Sequence, residues 1–578
     1  MKGLPVMVLA LELLATAGCA QQRPQLRQRQ VTATAPADQR VAEVKWFRDF
    51  LGRHQARLAP LVKANNLAYW IAAVTGNQDA YTMNSELEVA IRRMHADPAS
   101  YRRLQRLLDS GKVKDALLAR QLRILHDNFQ ENQTDAQLTR RIVALATEVQ
   151  QVFNTYRGQV GGKRLDDGQI IDILKNSADT ELRRQAWEAY KKRGALVRER
   201  VIELARLRNQ VARGLGFANF YDMRLRLMEQ DPAEIRRIFD ELARATDQPF
   251  AGMMRELRQQ LARRYGVSPA DIRPWHFEDP FFQEAPAAGA VDLDGFFAKA
   301  DQKRLVGDFY AGIGLDVSDV LAHSDLFAKP GKMPHAFCTD IDRAGDVRIL
   351  ANLSPCETQT STLLHEAGHA VYSKYIDPSL PWLLREEAHP FTTEAVAMLF
   401  GRLTRNPGWL RKMLHLDPGR LQPLVEKIRR QQRLGMLIMA RWTLVMVNFE
   451  RGFYENPDQD LNKLWWDLKS RYQLLEPPPR LPGAADWASK IHIAAWPVYY
   501  HNYLLGEMMA SQLHYYLARK VLKVPPRQMD YAGQKAIGEF LRTRIFAPGK
   551  SLRWDELLRR ATGESLNPRY FVEQFVGQ

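Results

Sequence analysis

Apolar residues recur at three- and four-residue spacing over almost the whole chain, and this periodicity restricts it to a mainly helical fold. From about Val41 to Glu229 the pattern is helical almost throughout. Leu117, Leu118, Leu122, Ile124 and Leu125 mark one helical face, and Ile202, Leu204, Leu207 and Val211 another. Asp179 before Thr180-Glu181-Leu182 reads as a helix start. Pro232 to Ala245 and Phe250 to Tyr265 predict two further helices. Residues 274–292 are irregular and rich in Pro and aromatics. One stretch, Met333 to Leu353, carries a clear β signal: a turn at Arg343-Ala344-Gly345-Asp346, then Val347, Ile349, Ala351 and Leu353 alternating with Arg348 and Asn352. Helices resume near Glu357 and run to the end, interrupted by Glu476 to Gly483. No internal repeat is present. The expectation is a mainly α chain with one small hairpin near its middle.

Composition excludes several classes. Hydrophobic residues are 46% and charged residues 26% of the 578, an ordinary globular balance. Three Cys cannot staple a disulfide scaffold. Cys338 and Cys356 flank the hairpin at unequal offsets from its turn, so direct cross-strand pairing is not expected. The 82 basic and 66 acidic residues leave a net charge of +16. Lys and Arg are spread along helical patterns such as Lys191 to Arg213, and no zinc finger, RNP motif or basic zipper occurs. That is a solvated basic surface, with no nucleic-acid partner expected.

The N-terminus reads as an address. Met1-Lys2 precedes a mostly apolar run from Leu4 to Ala17, too short to span a bilayer comfortably, then Gly18-Cys19-Ala20 and a polar run. Ala15-Thr16-Ala17-Gly18-Cys19 resembles a lipoprotein box, although Glu12 and Thr16 depart from it. The expected organisation is a signal peptide over 1–19, a flexible tether over 20–40 and one helical domain, in two halves around a groove, over 41–578. The chain is expected to be exported, periplasmic and membrane-anchored through a lipid on Cys19; plain secretion is the alternative.

The chemistry lies in Thr362 to Tyr372, which contains His365-Glu366-Ala367-Gly368-His369. Two His four apart on a helix project from one face and can both reach one zinc ion at about 2.0–2.1 Å. Glu366, next to the first, is placed to act as general base. A catalytic zinc needs a third protein ligand. Glu386, Glu387, His389 and Glu394 follow. Glu386 and Glu387 lie in a polar run that reads as solvated. Glu394 falls in the first turn of a helix that Thr392 or Thr393 can cap, on the side of Ala397 and Met398, where a carboxylate needs a partner. Glu394 is the favoured ligand.

His365-Glu-Ala-Gly-His369, Leu384-Arg-Glu-Glu-Ala-His-Pro390, Glu394-Ala395, Pro477-Pro-Pro-Arg480, Lys490-Ile-His-Ile493 and Tyr500-His-Asn-Tyr503 together resemble the angiotensin-converting-enzyme family of zinc peptidyl-dipeptidases, within the gluzincins. The sister group of oligoendopeptidase F and thimet-type oligopeptidases is similar too. The resemblance implies a large helical ellipsoid with a deep central groove, the hairpin beside the zinc helix, and one Zn2+ on His365, His369 and Glu394. It implies Glu366 as base and acid, and Tyr503 with His492 as donors to the oxyanion. It further implies Lys490 and Tyr500 on the substrate's C-terminal carboxylate, with His335 and Ala336 lining the cleft. Short peptides are the implied substrates, cut by release of C-terminal dipeptides. Internal cleavage is the rival reading, and a silent peptide-binding lipoprotein a further one.

Four departures stand out. His492 and Tyr503 are one residue further apart than the family's pattern, so Tyr499 or Tyr500 competes for the role given to Tyr503. Met398 replaces an Asp that would orient a metal-bound His, and no Gln is found near Trp275-His276-Phe277 to help hold the carboxylate. Asn502 stands where chloride-activated members have Arg.

Overall fold

The computed structural model describes residues 37–286, 291–480 and 482–577. The expected signal peptide, Cys19 and most of the expected tether therefore lie outside the described residues. Among these residues no helix is long and apolar enough to cross a membrane.

The fold is mainly α, as the periodicity requires. Four N-terminal helices, Ala37–Thr75, Gln78–His95, Pro98–Asp109 and Ala116–Glu131, pack around Phe47, Leu104, Leu125 and Phe129. Asn77, Asp97 and Asp115 start the last three of these by accepting orphan backbone N–H groups. Leu117, expected on the buried face, is exposed. A second, larger core runs without a break from Val149 to Phe575 and takes in Trp187, Leu364, Trp442 and Leu504. Its frame is three long helices, Thr180–Gly214, Pro232–Tyr265 and Pro418–Glu455. Asp179 caps the first of these with two accepted N–H bonds, as expected.

Two expectations fail locally. Pro232 to Tyr265 is one helix rather than two, with Pro249 inside it. Proline removes one backbone bond there, but Leu242, Phe250, Met254 and Leu257 are buried on both sides of it, and their packing keeps the helix continuous. The second miss is a hairpin, β1 (Gly158–Val160) against β2 (Lys163–Leu165), inside the stretch read as helical. Gly161 and Gly162, at φ 55° and 79°, supply the left-handed turn that joins strands this short.

The expected hairpin is present as β3 (Phe337–Asp340) paired antiparallel with β4 (Val347–Leu350). Cys338 faces Ile349 across the ladder and Cys356 precedes the next helix, so neither forms a disulfide. β3 and β4 both pack on that helix, Glu357–Lys374, which carries the two His and is called the motif helix below.

Candidate metal centre and peptide site

Three helices converge on the motif residues. The motif helix lies against the ligand helix, Pro390–Gly401, which in turn lies against the tyrosine helix, His501–Tyr516. Two glycines permit this closeness. A Cβ on Gly368 would stand 2.7 Å from Ala397 Cα, and one on Gly506 would stand 3.2 Å from Glu394 Cγ. Any larger residue would push the layers apart.

The ligand helix begins earlier than its sequence suggests. His389, not a threonine, is its cap, and Pro390 opens it, so Glu394 sits in the second turn rather than the first. His389 is buried, its Nδ1 accepts the Phe391 N–H at 3.1 Å, and burial holds its pKa well below the usual range. It is a cap and not a metal ligand. Glu386 is not simply solvated either. It is half-buried and pairs with Arg343 and, at 2.8 Å, with Lys550. Burial pushes its carboxyl up, but the two cations outweigh this and hold it well below the usual carboxylate range. Glu387 is half-buried and stands outside the metal cluster.

His365, His369 and Glu394 form the cluster that could hold a metal ion. The two Nε2 atoms are 3.3 Å apart; Glu394 Oε1 is 3.5 Å from the first and Oε2 3.7 Å from the second. Ligands about 2.0–2.1 Å from a tetrahedral zinc are separated by about 3.3–3.4 Å; the imidazole pair matches this spacing, and the Glu394 carboxylate turns one oxygen toward each imidazole. The side chains of His369 and Glu394 are 4% and 7% exposed and that of His365 is 22% exposed, so solvent reaches the cluster from the His365 side. Glu366 is buried beside it at 3% exposure.

The orienting partner that Met398 cannot supply comes from Thr393. Its Oγ1 lies 2.7 Å from His369 Nδ1. An Nδ1–H donated to that hydroxyl leaves the Nε2 lone pair directed at the metal position. In sequence, Thr393 reads as a helix cap, and nothing in its spacing marks it as a partner of a histidine.

The tyrosines divide between two neighbourhoods. Tyr503 and Tyr499 both sense the charge of Glu394, and burial together with that charge pushes both phenols well above their ordinary range. Tyr503 is also one turn before Gly506, the residue packed on Glu394. Tyr500 turns the other way. Its ring is 5.2 Å from His492, 5.3 Å from Tyr503 and 5.4 Å from Lys490 Nζ. Burial, with the charge of Lys490, lowers the His492 pKa to about 3, so the imidazole is neutral.

Lys490 is buried, and burial brings its ammonium down to about 8 against the pull of Asp279 and Glu284. Its Nζ donates to Gln283 Oε1 at 2.6 Å and lies 5.1 Å from the Phe281 ring centre. Gln283 thus stands beside Lys490, although it lies outside the Trp275 to Phe277 segment. It sits on a tight loop in which the Asp279 carboxylate accepts the N–H groups of Phe281, Gln283 and Glu284. No local signal marks it, because only the fold brings it to Lys490. His335 is exposed just ahead of β3, and Ala336 beside it packs on the main core.

The sequence profile for angiotensin-converting enzyme matches residues 300–575, and the profile for peptidase family M3 matches residues 173–295. Together these two matches support a zinc metallopeptidase of the gluzincin type. It is 24% identical over 433 residues to angiotensin-converting enzyme of Mesocricetus auratus, covering 68% of this chain and 32% of that protein. It is 22% identical over 443 residues to the protein of the same name in Haematobia irritans exigua, covering 69% and 70%. Identity to carboxypeptidase 1 of Bacillus subtilis (strain 168) is 23% over 323 residues, covering 51% and 61%. The chain thus spans about a third of the length of the mammalian relatives it matches.

Proposed function

We propose that the chain is a zinc peptidase that releases dipeptides from the C-terminal end of short peptides. The observation that carries this reading is the cluster of His365, His369 and Glu394, whose donor atoms lie close enough together to share one ion. Bound there, zinc would polarise the scissile carbonyl and make water acidic enough to lose a proton near neutral pH.

The remaining steps belong to this chain's side chains. Glu366 takes the proton of the attacking water and returns it to the leaving amine. Tyr503 donates its O–H to the oxyanion, and its raised pKa keeps that proton in place. Neutral His492 is a second donor. Lys490, Gln283 and Tyr500 hold the substrate's terminal carboxylate, which fixes the cut near that end. His335 and the Ala336 backbone line the approach beside β3, where an extended peptide can add to the strand edge.

Digestion of one peptide as its free acid and as its C-terminal amide tests this. Mass spectrometry should find dipeptides released from the free acid and little cleavage of the amide. Equal internal cleavage of both would favour an endo-acting oligopeptidase, the reading supported by the match of residues 173–295 to peptidase family M3.

Export and lipid attachment at Cys19 are part of the same proposal. Labelling with a radioactive fatty acid should mark the chain, and Cys19→Ala should move it from the membrane to the soluble fraction. An unlabelled chain that fractionates as before would remove the anchor.

A further inference from the structure

The segment between His492 and Tyr503 turns a corner that its own sequence does not favour. His492 lies in the short helix Ile491–Ala495, and the tyrosine helix starts at His501. Between them Val498, fully buried, has φ 56°. A β-branched residue in the left-handed region is strained, and such strain persists only where the surroundings over-determine the backbone.

Two groups from other helices supply that constraint. Glu450, 2% exposed on helix Pro418–Glu455, accepts the Val498 N–H through Oε1 at 2.7 Å. Arg208, on helix Thr180–Gly214, donates from Nη2 to the Ala494 carbonyl at 2.8 Å. The corner is thus held on each side of Trp496-Pro497, and what it fixes is the angle between His492 and Tyr500 and Tyr503. Burial raises the Glu450 carboxyl to about 8 against the pull of the Val498 N–H and Arg208, so at neutral pH it holds the corner as an uncharged acid.

We propose that Glu450 is a positioning residue for catalysis: through the Val498 N–H it locks the strained corner that aims His492, Tyr500 and Tyr503 together at the substrate. Its catalytic consequence rests on the peptidase reading above; the corner itself does not. An uncharged acid and a glutamine present the same accepting oxygen, whereas leucine presents none.

The test compares wild type, Glu450→Gln and Glu450→Leu as zinc-loaded full-length protein. Glu450→Leu should lose about 10- to 100-fold in kcat, the scale expected when catalytic donors are displaced by about an ångström. Zinc content should not change, and Glu450→Gln should keep kcat and KM within about threefold of wild type. Hydrogen exchange should accelerate in residues 491–503 of Glu450→Leu alone and stay unchanged across the motif helix. Unchanged exchange there, full kcat in Glu450→Leu, or equal loss in Glu450→Gln overturns the proposal. Wild type without peptidase activity defeats the functional reading instead, and exchange still decides whether Glu450 holds the corner. Should Glu450→Leu fail to fold, Val498→Pro removes the same N–H and forbids the left-handed φ. Full kcat in that variant overturns the proposal equally.

Discussion

The metal cluster and the lysine pocket flank the same tyrosines but are built from different ranges of the chain. The cluster takes its donors from two adjacent helices between residues 365 and 394, held close by Gly368 and Gly506. The pocket joins Lys490 to Gln283, 207 positions away, through a loop organised by Asp279. One is set by helix spacing and close packing. The other exists only when distant segments have docked. The difference teaches that hydrolysis and end-recognition can fail separately: changes in the 278–284 loop should alter which peptides are cut and leave the cluster intact.

The largest effect is expected at the base. Glu366→Gln should lower kcat by about 10³- to 10⁴-fold with zinc content unchanged, measured by elemental analysis beside a fluorogenic peptide assay. Full activity would remove Glu366 from the mechanism. Next in size is Tyr503→Phe, which should cost about 10²- to 10³-fold in kcat with KM little altered. Tyr499→Phe should cost far less. The reverse order would give Tyr499, which also faces Glu394, the oxyanion role.

Thr393→Val addresses the cluster alone. Loss of the hydrogen bond to His369 should weaken zinc binding by about 10- to 100-fold, read by competition with a chelating dye. The preference for free over amidated C-termini should stay the same. The smallest effect addresses the pocket alone. Lys490 is charged below its pKa of about 8 and loses its proton as pH rises through that value. KM for a free-acid peptide should therefore rise several-fold between about pH 7 and 9, while the amide shows no such rise. A parallel rise for both peptides would remove Lys490 from carboxylate recognition.

The helical class, the hairpin at Met333 to Leu353 and the metal cluster were legible in sequence because each depends on short spacing. His365 and His369 need only one helical turn, and the hairpin only alternation and a turn. What was hidden depends on packing. Thr393 looked like a cap because its partner, His369, lies on another helix. Gln283 looked like part of an irregular aromatic stretch. The β1–β2 hairpin is too short to show alternation, and Pro249 looked like a break because the buried face that keeps its helix whole is visible only after folding. Glu450 carried no signal at all; its meaning comes from the backbone of Val498.

Diffraction from zinc-saturated crystals on both sides of the zinc absorption edge would locate the ion among the side chains of the metal cluster. One anomalous peak per chain is expected, about 2.0–2.1 Å from Nε2 of His365, Nε2 of His369 and an oxygen of Glu394. A peak bound elsewhere, or none among those three side chains, would contradict that placement.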